Sequence, residues 1–202
     1  MRCDVADREE VERVAAEILE RRPAIALLVN NAGVPGRGDF VDLPAERIEL
    51  VTRVNYLGAV WCLRAFLPGL EAGRPSHVVN VASVAGTVAW GAGPYTASKH
   101  ALVAFSRTTA ASLRKHGIHV HTVNPGFAET EGFPQADVRR VPLFGRSVLG
   151  AEDVARTIVS AVEDDRTEIF TPWWYRLVAV AQAVAPGTSA RVIGRLPGRR
   201  RS

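Results

Sequence analysis

Three short strand-like runs, each closed by small polar residues and set among longer helical stretches, constrain this chain more than any other feature. Residues 24–29 run unbroken into Asn30-Asn31-Ala32-Gly33. Residues 77–82 run into Ser83, and residues 118–123 into Asn124-Pro125-Gly126. The first is a continuous apolar run, the pattern of a strand buried on both faces; the second reads as another buried strand and the third as a strand. The stretches around them carry apolar residues at helical spacing: 7–22, about 44–70, 94–115 and 151–162. Gly117 reads as the C-cap of the third helix. Residues 168–171 read as a fourth, short strand, residues 34–43 as a flexible loop, and 127–149 as a long loop or lid. Residues 172–202 form a mixed, apolar tail. Strands alternating with helices imply parallel pairing in a doubly wound α/β sheet. Residues 1–202 hold no repeat and no linker, so they read as a single domain.

The bulk numbers exclude several function classes. At 202 residues and 47% apolar, the chain can build one sizeable core. The net charge of +4 comes largely from Arg191, Arg195, Arg199, Arg200 and Arg201, so the body is nearly neutral and no nucleic-acid partner is expected. Cys3 and Cys62 have no metal-ligand spacing, and a reducing, cytoplasmic setting is the expectation. His119 and His121 share a strand face without further ligands nearby, which favours no metal. No apolar run spans a bilayer. Trp173, Trp174 and Tyr175 read as pocket or subunit contacts ahead of a membrane contact.

In a doubly wound sheet, ligands bind outside the C-terminal ends of the strands. That directs attention to Asn30, Ser83 and Asn124, which stand just after the strands. Tyr95 and Lys99 are four apart at a helix start, so the ammonium can lie near the phenol. A nearby positive charge and the helix N-terminus both lower a phenol's pKa from about 10. Such a tyrosine exchanges a proton with an alcohol or alkoxide. Ser83 could hold the substrate oxygen beside it. Asn55 could bind a water linking Lys99 to solvent. Singly, each of these has an ordinary structural reading as a surface pair, a loop serine or a helix amide.

Jointly, Asp4-Val5, Asn30-Asn31-Ala32-Gly33, Asn55, Ser83, Tyr95-x-x-x-Lys99 and Asn124-Pro125-Gly126 with Thr130 resemble the short-chain dehydrogenase/reductase family in order and spacing. The resemblance spans residues 1 to about 171. It implies a Rossmann-like sheet and an oxidoreductase that moves a hydride between NAD or NADP and an alcohol or ketone. By the same resemblance, Tyr95 is the acid/base and Lys99 lowers its pKa and binds the nicotinamide ribose. Ser83 orients substrate, and Asn55 completes the set by holding a water. Asp4 and Val5 would contact the adenine, and Asn30 and Ala32 the region of the ribose and sheet centre. Pro125, Gly126, Ala128 and Thr130 would pack on the nicotinamide, and residues 131–149 would form the substrate loop. A homodimer or homotetramer through the helices at 44–70 and 94–115 is implied.

The family's glycine-rich pyrophosphate turn is not found in these 202 residues. Gly33, Gly36 and Gly38 follow the wrong strand and read as loop. The family's first strand-helix units are thus expected to be lacking. Either the start lies upstream of Met1 or the chain is truncated. Weak cofactor binding, and an open apolar edge at Ile25, Leu27 and Val29, are expected as a result. Ala85, Ala89, Trp90, Phe127 and Phe133 suggest a pocket for a small hydrophobic alcohol or ketone.

Overall fold

The structure is a computed structural model that describes residues 1–36, 40–89, 93–129 and 148–189. Thr130, Trp90, Phe133, Gly38, most of the 131–149 segment and the arginines from 191 onward lie outside the described residues. At the centre is a four-stranded parallel sheet in the order β1-β2-β3-β4. The strands are β1 (Leu27–Asn30), β2 (Ser76–Val81), β3 (Ile118–Pro125) and β4 (Glu168–Thr171). Among the described residues six α-helices surround or extend it: α1 (Arg8–Arg21), α2 (Ala45–Thr52), α3 (Gly58–Ala72), α4 (Gly93–Leu113), α5 (Ala151–Glu163) and α6 (Tyr175–Val184). The expected α/β sheet with parallel strands is therefore present.

Period-2 alternation sorts the strand side chains between two helical layers. Val78, Ile118 and Val120 point to α3 and α4, where they bury with Leu63 and Leu70 and are flanked by Phe66 and Phe105. Val79, Val81 and Val123 point the other way, to Ala161, Val154 and Ile158 of α5 and to Ile169. The register pairs Asn30 with Asn80 and Val81 with Val123. The C-terminal ends of β1, β2 and β3 thus reach one rim.

Local chemistry sets the helix ends. The Asp7 carboxylate accepts from Glu9 N and Glu10 N, satisfying two donors that the first turn of α1 leaves free. Gly117, at φ 71°, ends the segment after α4 in the left-handed conformation that the sequence predicts. The long helix expected at 44–70 is interrupted. A π-helical turn at Arg53–Leu57 separates α2 from α3. Such a turn shifts the phase of a helix face and is a common device at functional sites. It leaves the apolar spacing of residues 48–61 looking continuous, which is why sequence periodicity does not reveal it.

Two expectations need correction. The strand at β1 is not buried on both faces: Leu27 and Val29 are 46% and 39% exposed, and Leu28 alone among its apolar residues packs on the main core. The reason is position. Among the described residues β1 pairs only with β2, and α5 covers the far side of the sheet rather than β1. The open apolar edge expected there holds for Leu27 and Val29 but not for Ile25, which packs on the main core. Second, the tail begins as a helix, α6, anchored by a buried Tyr175. Among the described residues no helix is long and apolar enough to cross a membrane.

Candidate active site

Three turns at the sheet rim converge on the start of α4. After β2, Ser83 caps a short 3-10 turn, its Oγ accepting from Ala85 N at 3.1 Å. Gly86 in that turn lies flat on α4. A Cβ there would stand 2.7 Å from the Lys99 carbonyl oxygen and from Val103. This contact holds Ser83 against α4, where its hydroxyl hydrogen-bonds the Tyr95 phenol.

Lys99, one turn along the same face, is buried, with Nζ 5.9 Å from the Tyr95 ring centroid. Its ammonium donates to the Val81 carbonyl at 2.9 Å. Burial pulls its pKa down to about 8. One of three N–H donors has a recorded partner, so a ligand can take the others.

After β1, Asn31 and Ala32 are exposed and Gly33 lies beside both Asn55 and Lys99. Gly36, read from sequence as flexible loop, makes a close approach. A Cβ there would lie 3.0 Å from Tyr95 N. Asn55 fixes this segment from the π turn: Oδ1 accepts from Val34 N at 2.8 Å, and Nδ2 donates to Val34 O at 3.0 Å and to Ser98 Oγ at 3.2 Å. The Asn55 amide is thus bonded to the Val34 backbone and to the Ser98 hydroxyl. Ser98 Oγ in turn donates to the Tyr95 carbonyl at 2.7 Å.

These contacts put Asn55, Ser83, Tyr95 and Lys99 in one connected constellation. Two other rim residues are committed elsewhere. Asn30 donates to Asn80 Oδ1 at 2.8 Å, and Asn80 donates to Ser106 Oγ at 2.8 Å. Asn124 donates to Glu168 Oε1 at 3.1 Å, where Arg107 also binds. Asn80, Ser98, Ser106 and Gly86 were not anticipated. For Asn80 a signal existed, since an amide inside an apolar strand run requires a buried partner.

The predicted cofactor residues divide into two groups. Val5, Asn30 and Ala32 line a cleft of about 100 Å³ together with Asn31, Asn55, Gly58 and Cys62. Gly58 makes that possible, because a Cβ there would stand 2.9 Å from the Val5 carbonyl oxygen. Asp4, exposed, turns the chain just before Val5 by accepting from Ala6 N at 2.9 Å. Across the rim, Pro125 ends β3 and Gly126 lies under the Tyr175 ring, where a Cβ would fall 2.9 Å from Cζ. Ala128 bridges in parallel to Leu149.

Residues 1–139 match the sequence profile of the short chain dehydrogenase family. The chain belongs to the short-chain dehydrogenase/reductase family. It is 36% identical over 175 residues to a 1-deoxy-11-beta-hydroxypentalenate dehydrogenase of Streptomyces exfoliatus, an alignment covering 84% of this chain and 62% of that relative. The chain thus spans less than two thirds of the relative's length. Among solved structures, a family member from Burkholderia phymatum in complex with NAD superposes with a TM-score of 0.77 at 28% identity, covering all of this chain and 79% of that one. One from Burkholderia cenocepacia J2315 in complex with NADP gives a TM-score of 0.80 at 24% identity, covering 96% and 77%.

In this family member, the phenol of Tyr95 departs from the sequence expectation. Burial raises its pKa, and the Ser83 hydrogen bond only partly opposes that. The Lys99 ammonium, 5.9 Å from the ring centroid and donating to the Val81 carbonyl, does not reverse that rise. Burial therefore favours the neutral phenol in this state.

Proposed function

We propose that this short-chain dehydrogenase/reductase family member is an NAD- or NADP-dependent oxidoreductase that interconverts a small hydrophobic alcohol and its ketone. The observation that carries the reading is the Ser83–Tyr95 hydrogen bond with the buried Lys99 ammonium on the same helix face. When bound, the nicotinamide supplies or accepts the hydride. The chain's own residues handle the proton. Tyr95 gives its phenolic proton to the carbonyl oxygen during reduction and takes it back during oxidation. Ser83 donates to the same oxygen and fixes its distance from the phenol. Lys99 stabilises the phenolate left behind and offers its remaining donors to ribose hydroxyls. Asn55 positions rather than reacts: it clamps Val34, and so holds the glycine segment against Tyr95.

The residues present fit the nicotinamide half of such a cofactor. The Lys99 donors that Val81 leaves unused and the small side of Gly33 support this, while the cleft with Val5, Asn30 and Ala32 belongs to the adenine and ribose side of the proposed contacts. Asp4, Pro125, Gly126, Ala128 and Thr130 complete the proposed contacts. A homodimer or homotetramer through α2, α3 and α4 belongs to the same proposal.

The test is cofactor oxidation by the purified chain with a panel of apolar ketones, using NADH and NADPH in separate runs. Ketone-dependent oxidation is expected, saturating only at high cofactor concentration. No ketone-dependent oxidation at any cofactor concentration, in a chain shown to be folded, contradicts it.

A further inference from the structure

Helix α6 is apolar on both sides. Its inner face carries Tyr175, 2% exposed, which packs on Val84 and Val88, with Ala179 against the same cluster. Trp174 stacks on Tyr175 with centroids 3.8 Å apart. The opposite face carries Trp173, Leu177, Val180 and Val184 at i, i+4, i+7 and i+11, exposed by 72%, 61%, 55% and 80%. An exposed apolar stripe of this length marks an interaction surface. No described residue buries this stripe.

The charge distribution decides what covers it. All 21 acidic residues lie within residues 1–171, beside 19 basic ones. Residues 172–202 carry six arginines and no acid: Arg176, exposed on α6, and Arg191, Arg195, Arg199, Arg200 and Arg201 after it. A second copy would bring six like charges against six. An anionic surface is the complement of both features, since apolar side chains enter the headgroup boundary and arginines bind phosphate. A tryptophan at one end of the stripe suits that boundary as well.

We propose that α6 is a surface-binding helix that lies on anionic lipid through Trp173, Leu177, Val180 and Val184. Trp174 and Tyr175 are turned inward to pack within the chain, whereas Trp173 is turned out. Because Tyr175 packs beside Gly126 and the turn after Ser83, the lipid-bound helix flanks the rim of the site. The inference does not depend on the proposed oxidoreductase activity, and its test reads lipid binding rather than turnover.

The experiment is co-sedimentation of the full chain with vesicles of phosphatidylcholine alone and of phosphatidylcholine mixed with phosphatidylglycerol. Wild type is expected to bind the phosphatidylglycerol vesicles about tenfold more tightly than the neutral ones, and to be released by high salt. Leu177→Asp with Val180→Asp is expected to weaken that binding about tenfold or more. Val184→Glu, a single change in the last turn, gives the same reading should the double variant fail to fold. Absence of binding to anionic vesicles overturns the proposal, as does binding that neither variant reduces. A wild-type dimer that these variants dissociate, without lipid binding, assigns the stripe to a second copy and also overturns it.

Discussion

The two flanks of the sheet rim are held in opposite ways. On the α4 side, every polar group of the site has a partner inside the chain. Ser83 meets Tyr95, Lys99 meets Val81, Asn55 meets Val34 and Ser98. On the β1 side, Leu27 and Val29 stand exposed and Asn31 and Ala32 face open space. The first flank is over-determined by buried contacts, so its geometry is built in. The second borrows little from its surroundings. Substitutions should therefore be costly on one flank and nearly silent on the other.

The largest expected effect follows from Lys99→Met. The variant keeps the shape of the side chain and removes the buried ammonium, so turnover should fall by on the order of 10²-fold or more. Stability should not fall, because an apolar group replaces a buried charge. In wild type, Lys99 releases its proton near pH 8 when folded and near about 10.4 when unfolded. Its burial therefore costs stability below pH 8, and that cost fades as pH rises through this window. Thermal melts of both chains from neutral pH upward check the sign. Wild type gains stability relative to Lys99→Met with rising pH; a constant difference breaks the assignment of a depressed lysine.

Gly86→Ala comes next. A methyl 2.7 Å from the Lys99 carbonyl must push the Ser83 turn away from α4. Overpacking of this kind costs about 1–3 kcal/mol. Denaturant unfolding should show that loss, and turnover should drop with it because Ser83 leaves Tyr95. A variant as stable and active as wild type would show that the turn is not pinned as described.

The smallest effect belongs to β1. Leu27→Lys replaces a half-open apolar side chain on an edge strand, and should change stability by less than about 0.5 kcal/mol. It should also reduce concentration-dependent aggregation, because a charge on an edge discourages strand pairing. A loss of several kcal/mol on unfolding would mean that the two flanks are equally fixed and would erase the contrast.

Sequence reading reached the strands and the Tyr95–Lys99 face because both rest on local signals: short runs closed by polar turns for the strands, and the four-residue spacing for the helical pair. It placed Gly117 for the same kind of reason, a helix end that needs positive φ. It missed what depends on contacts between distant segments. The π turn at Asn55 leaves the apolar spacing intact, and the clamp on Val34 joins residues 21 apart. The Asn80–Ser106 bond and the seat of Gly86 on Lys99 are likewise tertiary facts. Burial on both faces was expected for β1 from its composition, yet burial depends on neighbours, and β1 has one. The raised pKa of Tyr95 has the same origin, since desolvation is a property of the packed site and not of the i, i+4 pair.

The most direct test compares wild type with Tyr95→Phe under conditions where cofactor oxidation is measurable, with melting temperature and cofactor affinity recorded on the same samples. The variant loses one hydroxyl and keeps the ring. Turnover should fall by on the order of 10²- to 10⁴-fold, the range expected when the proton-transferring group is removed, while melting temperature and cofactor affinity stay close to wild type. Turnover unchanged in a folded, cofactor-binding Tyr95→Phe chain would contradict the assignment of Tyr95 as the group that moves the proton.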